Sequence, residues 1–297
     1  MEPIIVIVGF LGAGKTTLLK ELISRYQSKN WSPFVILNDY QNANLDSQQL
    51  LEMLDPKFIN ALNGSCICCS GVTELRESVN NIPHRNKGIT LIEANGTTDA
   101  CTLMEFLGVG INENFMPPVQ VSVVDARNWQ ERGINNELEA NQIQVSSLIV
   151  LNYAEEVGSE RVEKITSDLL ELNPSAIIKV WSELDPESLS ELSPSSNQSA
   201  VMEHLKAHWS SCSVDLPDPM GSKRLQHILD QMPETIIRIK GCTKLDEDDY
   251  YSYFERIPSG EVFVRPYRGN LVTGPKLLTV GPGSNPEVLK NIMSEEI

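Results

Sequence analysis

The chain has 297 residues, enough for one large core or for a main domain with a smaller second one. Its formal net charge of −16, from 24 basic and 40 acidic residues, argues against a non-specific binder of nucleic acid or of an anionic membrane, because both reward positive patches. No run approaches the roughly 20 apolar residues of a membrane-spanning helix; the N-terminus carries no basic region or cleavage signal, and the six cysteines are too unevenly spread for a secreted disulfide framework, so a cytoplasmic or organellar-stromal location is expected.

The first element is the apolar run Ile4–Val8, a buried strand. It leads through Gly9-Phe10-Leu11-Gly12-Ala13-Gly14-Lys15-Thr16-Thr17 into an amphipathic helix carrying Leu18, Leu19, Leu22, Ile23 and Tyr26. Strand, glycine loop and helix in this order are the context of a phosphate-binding P-loop. Gly9 and Gly14 let the backbone curl, so that N–H groups along Gly12, Ala13 and on to Thr17 form an anion nest at a helix N-terminus. Lys15 reaches the β- and γ-phosphates, and the Thr16 hydroxyl ligates Mg²⁺. A plain glycine turn would need neither the lysine nor the hydroxyls.

Further strands are expected at residues 34–37, 89–92, 119–124, 148–151 and 176–180, with helices near 72–82, 99–107, 137–145 and 159–171. Repeated βα units give an α/β fold with a mostly parallel sheet, and ligands then sit at the carboxyl ends of the strands. Three polar segments follow such ends. After the second strand, Asp39 and Asp46 are candidates for a segment that responds to the γ-phosphate, Asp39 in catalysis and Asp46 on Mg²⁺, although either reads equally as a loop acid. Next comes Cys66-Ile67-Cys68-Cys69, whose thiolates suit Zn²⁺ or Cu⁺. Residues i and i+2 face one centre in an extended turn, so two or three of the sulfurs can share an ion. Ser70, as N-cap of the following helix, would put them at a positive helix end that lowers their pKa. Redox switching and plain packing are the alternatives. The third segment is Glu93-Ala94-Asn95-Gly96, where an acid can engage the Mg²⁺ shell or order a water, and a nearby backbone N–H can sense the γ-phosphate.

Residues 1–182 therefore read as a nucleotide- and metal-binding domain. Residues 183–222, rich in Ser, Glu and Pro at their start, read as a linker or insertion with a short helix at 202–209. A small α+β domain fills 223–297, with helices at 223–232 and 286–293 and strands at 235–239, 261–264 and 277–280. His204 and His208, spaced i,i+4, read as a solvated helix face rather than a metal clamp.

Taken together, the glycine loop, the Cys66/Cys68/Cys69 cluster after Asn63-Gly64, and Glu93-Ala94-Asn95-Gly96 resemble the CobW-like family of metal-chaperone GTPases. Arg238-Ile239-Lys240-Gly241 and Val280-Gly281-Pro282-Gly283 are similar to that family's C-terminal domain. The resemblance implies a GTP-driven hydrolase that holds a transition metal, zinc or cobalt, and delivers it to a client protein. It implies Lys15 and Thr16 for phosphate and Mg²⁺, the three cysteines for the cargo metal, and Glu93 and Gly96 for the Walker B and switch II roles. Analogy with P-loop relatives adds homo-oligomerisation around nucleotide. Two departures stand out. Where the family has Asn-Lys-x-Asp, this chain has Asn152-Tyr153-Ala154-Glu155, so Glu155 is one methylene longer and Tyr153 can stack where a lysine stem would lie. Loss of one hydrogen bond to the base edge weakens discrimination by roughly 10-fold. Where the family reads Asn-Glu-Phe-Gly-Glu, this chain reads Asn38-Asp39-Tyr40-Gln41-Asn42. These departures leave two further readings open: an ATP- or mixed-purine-using, kinase-like enzyme, and a non-hydrolysing nucleotide-binding regulator.

Overall fold

Five consecutive β-branched residues make β1 (Ile4–Val8), and all five are buried. Such side chains fit a pleated surface that is covered on both sides. Around it lie β2 (Ser32–Asn38), β3 (Ile59–Leu62), β4 (Gly88–Glu93), β5 (Val119–Asp125), β6 (Leu148–Asn152) and β7 (Ile177–Val180), in the order β3-β2-β4-β1-β5-β6-β7. Every neighbouring pair is parallel. The expected parallel α/β sheet is present. This computed structural model describes residues 1–38, 50–62, 71–108, 110–195, 211–236, 238–256, 260–267, 274–280 and 284–294.

The chain divides into two compact units, Met1–Ala43 with Met53–Ala207, and Asn44–Glu52 with His208–Ile297. In the first, the crossovers are α1 (Lys15–Ser28), α2 (Gly71–Asn80), α3 (Ala100–Leu107), α4 (Asn136–Gln144) and α5 (Ser159–Leu172), close to their expected positions. α1 buries Leu18, Leu19, Leu22, Ile23 and Tyr26. Ile4, Val6, Val8, Ile36 and Ile92 of the sheet share a core with Leu75 and Val79 of α2 and Leu103 and Leu107 of α3. Ile149 and Leu151 pack with Trp129, Ile143, Ile165 and Leu169.

Two features of this unit depart from the sequence pattern. β3 is an edge strand whose first three residues are only half-buried, with Asn60 in its middle, so it carries no apolar run to read. The stretch expected to begin a linker at 183 instead starts with a packed segment. It forms α6 (Pro186–Leu189), with Pro186 and Leu189 buried.

The second unit is an antiparallel sheet of β8 (Ser211–Asp215), β9 (Arg238–Lys244), β10 (Tyr251–Arg256), β11 (Val262–Pro266) and β12 (Lys276–Val280), in the order β11-β10-β9-β12-β8. With α7 (Ser222–Gln231) and α8 (Pro286–Ser294), it encloses Leu225, Ile228, Leu229, Ile239, Phe254, Leu277 and Leu289. In place of the strand expected at 235–239 the structure has Arg238–Lys244, extended to Lys244 because the ladder with β10 runs from Ile239 to Lys244. β8 and β10 were not expected: β10 is mostly polar and aromatic, and its pairing partners lie on either side in sequence.

Candidate nucleotide site

The turn from β1 to α1 has the geometry of a phosphate cradle. Gly14 is the N-cap of α1 with φ 107°, a left-handed conformation that favours glycine. A Cβ there would also strike Asn152 Nδ2. Lys15 is 5% exposed, and its ammonium donates to the Gly9 and Phe10 carbonyls at 2.8 and 3.2 Å, so it lies within the loop. Thr16 is half-buried, whereas Thr17 points to solvent. Gly9, Gly12, Ala13, Gly14, Lys15 and Thr16 thus converge as one structure at the carboxyl end of β1.

Glu93 ends β4, the neighbour of β1, with Ile7 in register beside it. The Thr16 hydroxyl donates to Glu93 Oε1 at 2.7 Å, across 77 residues of sequence. Beyond Glu93 the chain folds back over the P-loop: a Cβ on Gly96 would approach the Leu11 backbone nitrogen to 2.8 Å, closer than real side chains come. The segment is then fixed from behind. Gln142 of α4, 1% exposed, donates through Nε2 to the Gly96 and Thr98 carbonyls, both at 3.0 Å. Asn141 Oδ1 accepts from the Ala100 N–H at 3.0 Å, and Asp99 caps α3 through the Thr102 N–H and hydroxyl.

At the other end of the site, Asn152 closes β6 and donates through Nδ2 to the Ala13 carbonyl at 2.9 Å, while its Oδ1 accepts from the Tyr153 N–H at 3.0 Å. Tyr153 adopts φ 60°, uncommon for a bulky residue. Arg127 Cζ lies 3.4 Å from the Tyr153 ring centroid. Burial lowers the Arg127 pKa, but the hydrogen bonds and charge of Asp125 and the hydrogen bond to Glu156, with a smaller contribution from Tyr153, together outweigh it and the net shift is upward. Glu155 Oε1 accepts from the Ser182 hydroxyl at 3.1 Å. The neighbouring Trp181 donates to Glu21 Oε2 at 2.8 Å, and its ring passes 3.7 Å from where a Cβ on Gly14 would stand. Behind the P-loop, the Arg132 guanidinium lies 4.8 Å over the Phe10 ring and pairs with Glu139, whose carboxyl burial pushes up.

Comparison with known proteins gives this arrangement its family. The sequence matches the family described as CobW/HypB/UreG, nucleotide-binding domain, over residues 3–179. The chain belongs to that family. Among its relatives are zinc-regulated GTPase metalloprotein activator 1 of Dictyostelium discoideum, 27% identical over 212 residues, and the zinc chaperone YjiA of Escherichia coli strain K12, 26% identical over 186 residues. The matched regions cover 59% of this chain in both cases, and 44% and 57% of those relatives. The chain thus spans about half the length of the curated relatives it matches. The crystal structure of Zn(II)-bound YjiA GTPase from E. coli aligns over 99% of each chain at 16% identity, with a TM-score of 0.43.

In this CobW/HypB/UreG chain the structure brings together the loop residues Gly9 to Thr16, Glu93, Gly96 and Asn152, and sets Tyr153 and Glu155 around them. Asp39, Asp46, Cys66, Cys68, Cys69, His204 and His208 lie outside the described residues. Among the described residues no group of three or more His, Cys, Asp or Glu side chains is placed to hold a metal ion, and no helix is long and apolar enough to cross a membrane. Four residues at the site have no motif in the sequence: Arg127, Gln142, Trp181 and Ser182. Three of them follow strand ends, at β5 and β7, where a parallel sheet collects its ligands. That rule was the available signal.

Proposed function

We propose that this chain hydrolyses a purine nucleoside triphosphate, GTP by family, to control a transition-metal cargo, zinc or cobalt, that Cys66, Cys68 and Cys69 carry to a metal-dependent client protein. The observation that carries the reading is the 2.7 Å hydrogen bond from Thr16 to Glu93, which ties the P-loop to the strand end leading into Gly96. A hydroxyl and a carboxylate meeting at a helix N-terminus are hard oxygen donors of the kind that suits Mg²⁺. When bound, that ion offsets the charge of the phosphates. The protein's own part is to cradle the phosphates with the loop backbone and Lys15, and to keep Gly96 against Leu11, where a bound γ-phosphate would be sensed.

Support for metal coupling comes from connectivity. The cysteines lie in the sequence between Leu62, the carboxyl end of β3, and Gly71, where α2 begins. Leu75 and Val79 of α2 share a core with Ile92 and Ala94 at the end of β4. A shift at Glu93 to Gly96 therefore has a packed route to the helix that follows the cysteines. The names of the relatives, a zinc chaperone and a zinc-regulated GTPase activator, fit the same cargo. Coupling is reciprocal, so metal must change nucleotide affinity by the factor by which nucleotide changes metal affinity.

Zinc titrations of the nucleotide-free, GDP-bound and non-hydrolysable-GTP-bound chain test this. We expect affinities that differ by at least roughly 5-fold between the two nucleotide states, and loss of stoichiometric zinc in Cys66→Ser and Cys68→Ser. Identical affinities in all states, or unchanged zinc content in both variants, would sink the reading.

A further inference from the structure

Arg127, two residues beyond the end of β5, is clamped more tightly than a surface arginine. Its Nε donates to Asp125 Oδ1 at 3.1 Å, Nη2 to Asp125 Oδ2 at 3.3 Å, and Nη1 to Glu156 Oε2 at 3.1 Å. Asp125 is 3% exposed and is fixed in turn by the Arg127 backbone N–H and by Asn128 Nδ2. A planar fork held by three carboxylate oxygens keeps one orientation. That orientation puts it on the Tyr153 ring, 3.4 Å from the centroid.

The ring is fixed from its backbone as well. The left-handed conformation of Tyr153 is held by its N–H bond to Asn152 Oδ1, and Asn152 is anchored to the Ala13 carbonyl of the P-loop. An aromatic ring has two faces, and the guanidinium takes one. The acid that stands where the family reads the edge of the base is Glu155, one methylene longer than Asp and drawn through Oε1 to the Ser182 hydroxyl at 3.1 Å. Stacking on a ring face tolerates any base, because every base has a π-face.

We propose that Arg127 and Tyr153 form a stacked platform that takes the flat face of either purine, with Arg127 as the residue that positions the ring, so that this chain binds guanine and adenine nucleotides with little preference. This deepens the nucleotide reading above and rests on it. The altered Asn-Tyr-Ala-Glu motif then has a physical meaning: affinity comes from the face of the base instead of from its edge.

The test compares GDP, ADP and inorganic tripolyphosphate binding to the full chain by calorimetry, for the unaltered protein, Tyr153→Ala and Arg127→Gln. GDP and ADP are expected to bind the unaltered protein within about 10-fold of each other. Tyr153→Ala should weaken both by a common factor of roughly 10, and Arg127→Gln should weaken both by a common factor of about 3. Tripolyphosphate, which has no base, should bind all three proteins alike. Preference for GDP above about 100-fold overturns the proposal, as does a Tyr153→Ala effect on one purine alone. A tripolyphosphate loss equal to the nucleotide loss in both variants shows a structural role and also overturns it. An unaltered chain that binds none of the three ligands defeats the underlying nucleotide reading, an outcome distinct from failure of the platform.

Discussion

Gln142 holds the segment after β4 with one end of its amide. Its Nε2 serves two buried carbonyls, Gly96 and Thr98, while its Oε1 is buried with no hydrogen-bond partner among the described residues. Gln142→Leu removes both donors and leaves two carbonyls unsatisfied in the interior, against which it relieves one orphaned oxygen. The balance is a destabilisation of about 2 kcal/mol, read as a lower urea midpoint at unchanged slope. Nucleotide turnover should fall further than nucleotide affinity, because Gly96 loses its backing while the Lys15 cradle is untouched. Equal stability and turnover in the variant would show that the two hydrogen bonds do not position the segment. Lys15, Thr16, Glu93, Gly96 and Asn152 were legible in the sequence because each belongs to a local motif whose spacing states its chemistry. Gln142 was not. It lies in a helix with an ordinary pattern, and only the folded arrangement places it behind Gly96.

At the scale of elements, the contact between α1 and residues 181–189 shows where periodicity stops being informative. Tyr26 of α1 donates its hydroxyl to the Pro186 carbonyl at 2.6 Å, Trp181 donates to Glu21 at 2.8 Å, and Lys29 pairs with Glu187 at 2.8 Å. These bonds reach a single turn at Trp181–Glu183 and a helix of four residues, Pro186–Leu189, both too short to show an apolar period. β1, β4, β5 and β6 were legible because buried parallel strands are continuous apolar runs, whereas β3, an edge strand, and β10, a polar one, are defined by their neighbours. The Tyr26 contact also has a pH signature. Burial raises the Tyr26 pKa well above 10, and Asp185 and Glu187 raise it further. The folded state therefore keeps its proton where the unfolded chain has lost it, so this stability is complete below about pH 10 and declines as pH rises beyond it. Cys242, which burial pushes up to about 12, adds a loss of the same sign beginning near pH 9. The informative measurement is the difference between the unaltered protein and Tyr26→Phe in thermal midpoint from pH 8 to 11. The variant should be less stable at pH 8 by about 1 kcal/mol, and its deficit should shrink above pH 10. A deficit that stays constant would remove the coupling.

For the whole molecule, the decisive quantity is the net charge of −16. Self-repulsion of that size acts over the Debye length, about 30 Å at 0.01 M salt and about 8 Å at 0.15 M. Added salt therefore weakens the repulsion before it reaches the buried pairs. Arg85–Glu2 and Arg132–Glu139 are both largely shielded, with side chains 6 and 8% and 7 and 4% exposed, and are screened least. The pairs that salt does reach, such as Lys29–Glu187 and Lys57–Asp55, are exposed on both sides and contribute little to stability. Raising sodium chloride from 0.01 to 0.15 M should accordingly raise the thermal midpoint, by roughly 2 °C or more for a stabilisation near 1 kcal/mol. A falling midpoint would mean that the exposed pairs outweigh the long-range repulsion. The same field draws cations toward the chain, so zinc association with the nucleotide-free protein should slow over the same salt range, as stopped-flow measurements would show. A zinc association rate independent of salt would confine the influence of the acidic charge to stability.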